Sequence, residues 1–207
     1  LAESHALTEA AVTSILASDA EIVIVQGDLT KDGERSSHEA FAGFLAQLEQ
    51  AEKKVFVVPG NHDVNNPLAV RFTGDIALPV ASVTDKEFAE IYGAYGYDEA
   101  LYRDVSSLSY VAEPVDGLWI LGMDACRYKE NAGESHAVTG GRFTLATEQW
   151  IKARLQEAQM KRKTVIGVMH HGLLEHFAGQ KMNPVSSDYV VDDWARLSTE
   201  FTERGLN

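Results

Sequence analysis

Only one cysteine, Cys126, stands among the 207 residues, which excludes an internal disulfide and cannot by itself make a thiolate zinc site. It reads as a small apolar core residue. Cations are also scarce: 18 Lys and Arg face 31 Asp and Glu. The resulting formal charge of −13 argues against a general affinity for duplex nucleic acid or anionic membrane, because counterion release needs clustered positive charge. No stretch approaches the roughly 20 apolar residues of a membrane span. Prolines number five, and no repeat or low-complexity segment divides the chain. At 45% apolar residues, the length suits a single domain with one sizeable core. No secretory pattern opens the sequence, which starts at Leu1 rather than Met and runs straight into a helical pattern. The natural start is therefore expected upstream, and export is the favoured location.

What is present is a repeated arrangement of buried strand followed by polar cluster. Val55-Phe56-Val57-Val58 runs into Pro59-Gly60 and then Asn61-His62-Asp63, an amide oxygen, an imidazole and a carboxylate in succession. Ile22-Val23-Ile24-Val25-Gln26 leads to Gly27-Asp28, and Val165-Ile166-Gly167-Val168-Met169 leads to His170-His171. Ligands collect at the carboxyl ends of strands in open α/β sheets, so the three strands are expected side by side in one sheet. Taken alone, Gly-Asp is more often a turn or cap than a metal site, and Asn61 can equally be a turn residue. Their weight comes from the three strand ends together.

Between these strands the periodicity predicts further elements. Leu7, Ala11 and Ile15 mark an amphipathic helix over about 4–18. Ser36-x-x-Glu39 reads as a capping box before a helix carrying Phe41, Phe44, Leu45 and Leu48, completing a parallel βαβ unit with the flanking strands. Residues 64–106 loosen into an insertion expected to cover the mouth of the site, with one helix behind a second capping box, Thr84-x-x-Glu87. Tyr92, Tyr95, Tyr97 and Tyr102 in this region are read as core in preference to a nucleobase-stacking platform. A hairpin follows over 108–121, then a helix capped near Thr144. A last helix carries Val190, Trp194, Leu197 and Phe201, after which another strand is expected.

These motifs resemble the calcineurin-like metallophosphoesterase superfamily over nearly the whole chain. Gly27-Asp28-Leu29-Thr30-Lys31-Asp32-Gly33 is similar to the second of the five family motifs as spelled in the cyclic-nucleotide and glycerophosphodiester phosphodiesterase branch. Lys31 replaces the usual Asp or Asn there. Gly60-Asn61-His62-Asp63 matches the third motif, and Met169-His170-His171 resembles the fourth.

The resemblance implies a four-layer α/β/β/α sandwich of two mixed sheets, incomplete at both ends, and a centre holding two metal ions of the Mn, Fe or Zn type. Asp28 is then the bridging ligand, and Asn61 and His170 are ligands of the second metal. His62 is the catalytic histidine and Asp63 its orienting partner. His171 either supports a ligand or is merely packed. His176 and Glu175 either face substrate or, as favoured here, sit on a solvated loop.

The implied activity is two-metal hydrolysis of a small phosphoester, with phosphodiesters such as a cyclic nucleotide or glycerophosphodiester preferred. The alternative is a non-catalytic metal-binding or scaffold relative. A nuclease of the same superfamily conflicts with the charge. Neither Asp-x-His nor Gly-His-x-His, the first and fifth motifs, occurs in the 207 residues. Both are expected in flanking sequence, and the chain as it stands is expected to be a poor catalyst that holds at most one metal, weakly.

Overall fold

The computed structural model describes residues 3–206. Two strand–helix–strand units supply its framework. In the first, β1 (Ile22–Gln26) is followed by α2 (Arg35–Gln50) and β2 (Lys54–Val58), behind an opening helix α1 (Ser4–Leu16). β1 and β2 pair in parallel, from Ile22 opposite Lys54 to Gln26 opposite Val58. The insertion contributes a hairpin, β3 (Val70–Thr73) and β4 (Ile76–Pro79), and a short helix, α3 (Asp85–Ile91). A second sheet has the order β5 (Tyr102–Arg103), β6 (Tyr110–Val115), β7 (Leu118–Gly122), β8 (Thr164–Val168). Its pairs are antiparallel except β7 with β8, which α4 (Leu145–Met160) joins as the second parallel unit; α5 (Trp194–Thr202) follows.

The pleat of the second sheet shows how the layers stack. Tyr110, Ala112, Ile120 and Val168 turn toward the core that contains Val55, Phe56, Val57 and Val58 of β2 and Leu45 and Leu48 of α2. The alternate residues Val111, Trp119, Leu121 and Val165 turn the other way, onto Ile151 and Leu155 of α4 and Leu197 and Phe201 of α5. The result is helix, sheet, sheet, helix, with the Tyr110 hydroxyl donating to the Val57 carbonyl across the inter-sheet core at 3.1 Å. Each fully buried aromatic or aliphatic side chain here contributes on the order of 1.5–3 kcal/mol.

Several expectations are corrected in detail. The strands ending at Val25, Val58 and Met169 do not share a sheet: β8 pairs with β7 along its full length. Each parallel pair is built by its own helical crossover, so the strand ends meet across the rim of the sandwich and not along one edge. Among the described residues the first sheet is a parallel pair only, and the second alone is mixed. Helix α1 turns Thr8, Val12 and Ile15 inward and leaves Leu7 68% exposed, because it lies on α2, where one stripe suffices.

The Ser36 capping box does not form. α2 starts two residues earlier, with Glu34 at its N-cap in place of Ser36; Glu39 faces Arg35 at 3.6 Å, and the Glu34 carboxylate turns back to accept the Asp32 N–H. The Thr84–Glu87 box does form, at the start of α3. Tyr92, Tyr95 and Tyr97 are buried in the first core and Tyr102 lies under the Arg154 guanidinium, so none forms a stacking platform.

Candidate active site

Two glycines bring the ends of β1 and β2 together. Gly27 has φ +84°, and a Cβ on it would run into the backbone of Gly60; a Cβ on Gly60 would in turn run into Asp28. Asp28 itself sits at φ 53°, a left-handed conformation that aspartate tolerates through its short polar side chain. Asp63 then locks the two loops. Its carboxylate is fully buried and accepts from the N–H groups of Leu29 (2.9 Å), Thr30 (3.0 Å) and Gly60 (2.8 Å) and from the Thr30 hydroxyl (3.1 Å). Burial pushes the Asp63 carboxyl above its ordinary range, an effect opposed first by the Gly60 N–H.

This geometry changes the role assigned to Asp63. With both oxygens committed to the backbone, it does not orient His62; Asp32 does, with Oδ1 3.3 Å from His62 Nδ1. Asp32 is buried and also accepts from Asn66 Nδ2 at 3.2 Å and from Lys31 Nζ. A carboxylate can only accept, so the His62 proton sits on Nδ1, and Nε2 is left for the cavity that His62 lines. Asp32 was within reach of sequence reasoning, four residues beyond Asp28, but the adjacent Asp63 drew the assignment. His38 gave no signal beyond its place on a helix. Its buried ring bridges the Tyr92 hydroxyl (Nδ1, 2.8 Å) and the Asp63 carbonyl (Nε2, 2.9 Å), and burial lowers its pKa.

Asp28, Asn61 and His170 do converge. His170 Nδ1 donates to the Gln26 carbonyl at 2.8 Å, which turns Nε2 toward Asn61 Oδ1 (3.1 Å) and Asp28 Oδ1 (3.6 Å). With the proton on Nδ1, three side-chain acceptors face one another, and Asp28 Oδ1 also accepts the His62 N–H at 3.3 Å. Their spacing is close to the roughly 3 Å edge of an octahedron around a 2.1 Å metal–oxygen sphere. The set therefore fits one side of a single divalent cation.

It does not furnish two full coordination spheres. Among the described residues no three His, Cys, Asp or Glu side chains form a metal-holding group. His171 is packed: its Nε2 donates to the Thr139 carbonyl at 2.8 Å, its ring meets that of His170 edge-on at 5.0 Å, and burial lowers its pKa. Cys126 lies beneath, its thiol donating to the Pro59 carbonyl at 3.4 Å, with its pKa pushed well up by burial.

The strand ends open into a cavity of about 990 Å³. Its outer wall comes from the stretch after His171, including Leu173, Leu174, Glu175, His176 and Tyr189; no wall residue comes from 64–106. Of the insertion, Asn66 touches the site from behind, bonded to Asp32 and to the His62 carbonyl.

A carboxylate, an amide and an imidazole gathered at strand ends, beside a histidine–aspartate pair, define a metal-assisted hydrolase. The chain belongs to the calcineurin-like phosphoesterases, whose family model matches residues 3–197. Among solved structures the fold is similar to that of a dimetal phosphatase from Danio rerio, with a TM-score of 0.58 and 14% sequence identity. That match covers 97% of this chain and 68% of the other. No curated protein matches the chain in sequence.

Proposed function

We propose that this chain carries the hydrolytic centre of a metal-dependent phosphoesterase, with phosphodiesters preferred over monoesters. The observation that carries the reading is the convergence of Asp28, Asn61 and His170 beside the His62–Asp32 pair at one rim of the sandwich. Divalent ions of the Mn, Fe or Zn type, when bound, supply Lewis acidity and acidify water. The side chains do the rest. Asp28, Asn61 and His170 hold the donor side of the site. His62, its Nδ1–H held by Asp32, meets the leaving oxygen through Nε2, which donates when the ring carries both protons. Water oxygen bonds to phosphorus as the bond from phosphorus to the alcohol oxygen breaks; the departing oxygen takes the Nε2 proton of the doubly protonated His62 ring, and the proton lost by the water restores it. The preference for diesters rests on the spelling of the Asp28 and Asn61 motifs.

One observation favours the competing reading, a metal-linked scaffold: the described donors cover one side of one cation. Turnover of bis-p-nitrophenyl phosphate and p-nitrophenyl phosphate by the intact protein, with and without Mn, separates the two. Metal-dependent release of nitrophenol, faster from the diester and lost in His62→Ala, is the expected result. No metal-dependent release from either compound favours the scaffold.

A further inference from the structure

Resting on that reading, the cavity walls carry it further: we infer that the substrate presents a single phosphoester anion joined to an uncharged apolar or aromatic alcohol group, seated against the stretch between Gly172 and Tyr189. The first observation is the absence of cations. The wall includes the carboxylates of Asp28, Glu175 and Asp188, and no Lys or Arg lines it among the described residues. Lys181, within the same stretch, and Arg127 and Lys31 are committed elsewhere, Lys31 to Asp32. Lys181 turns onto the carbonyls of Ser187 (3.1 Å) and Val190 (2.7 Å) and onto Asp192 (2.9 Å). Arg127 forms a two-pronged pair with Glu130. A second phosphate or carboxylate on the substrate would meet carboxylates with no partner, at a cost that grows as water is excluded.

The second observation is what the wall offers instead. Leu174 and Tyr189 stand 58% and 64% exposed on it, and the partly buried Leu173 and Met169 continue the surface toward His170. Large apolar side chains left open beside a polar centre gain by covering an apolar group. The wall is also held in place. Glu175 accepts the N–H groups of Gly179 (3.2 Å) and Lys181 (2.7 Å), and the backbone of Gly172 bonds to that of Tyr189 and Val191, pinning the base of the loop.

Two measurements test the substrate class separately from the reaction. Metal-free protein titrated with 1-naphthol, a neutral aromatic alcohol, should bind it, and the double variant Leu174→Asp, Tyr189→Asp should lose that binding. Both positions are exposed, so folding is checked by an unchanged melting temperature. With Mn present, kcat/KM for methyl naphthyl phosphate should exceed that for the same ester with a carboxylate on the ring by about tenfold or more, the scale of a matched apolar pocket. The double variant should lower kcat/KM for methyl naphthyl phosphate, and the two added carboxylates should keep the ring-carboxylate ester the slower substrate. Unchanged naphthol binding in the double variant, or faster turnover of the doubly anionic ester, overturns the inference and leaves the phosphoesterase reading intact. Naphthol binding that depends on Leu174 and Tyr189, with no turnover of any ester, preserves the apolar subsite and removes the phosphoesterase reading.

Discussion

Asp63 and His62 are neighbours in the chain with opposite duties, and substitution separates them. Removing the Asp63 carboxylate in Asp63→Ala strands three backbone N–H groups and the Thr30 hydroxyl in a buried position. A stability loss of about 3–5 kcal/mol in urea unfolding is expected. His62→Ala should leave stability within about 0.5 kcal/mol, because the ring is 41% exposed and Asp32 keeps Asn66 and Lys31 as partners. The same change should lower phosphoester turnover about 10²–10⁴-fold. Asp28 and Asn61 were legible because each follows an apolar strand and a glycine directly, and His62 because it follows Asn61. The partner of His62 was not, since two acids compete for it and only the fold decides which carboxylate is already spent on backbone N–H groups.

Helices α4 and α5 meet through an acid that titrates far from its ordinary range. Glu148 takes a two-pronged bond from Arg196 at 2.8 and 2.9 Å and another from Lys152, and these partners hold its carboxyl down to about 2. A carboxyl depressed in the folded state stabilises the protein above its ordinary value of 4.5. That stability is lost as pH falls through the window from 4.5 to about 2. Urea unfolding should therefore show Glu148→Gln less stable than the parent at pH 7, with the difference shrinking steadily over that window. A gap independent of pH would assign the effect to packing instead. At the same scale, helix periodicity placed α2 and α4 well, and α5 from Trp194 onward; Val190, expected on that helix, instead bridges Gly172 before it. For α1 periodicity found the helix but not its face: Leu7 and Ala11 of the expected stripe are exposed, and Ile15 packs inward beside Val12.

The molecule as a whole joins two parallel strand pairs, each closed by its own helix, so that Asp28, Asn61 and His170 arrive from two sheets at one rim. The donors they offer are one carboxylate, one amide and one imidazole, which predicts weak binding of no more than one metal ion per 207-residue chain. Elemental analysis after dialysis against Mn should find one equivalent or less. Two retained equivalents would mean that other side chains, such as His176, complete the centre.

Sequence alone determined the strand ends, the ligand types and the family resemblance. These are local properties, written in runs of apolar residues and the polar groups that follow them. Three matters were left to the tertiary structure: which sheet β8 joins, which aspartate serves His62, and which segment walls the cavity. Each is a contact between residues distant in the chain. Backbone pairing of β8 with β7, the prior engagement of Asp63 by N–H groups, and the docking of residues 172–189 beside the strand ends decided them.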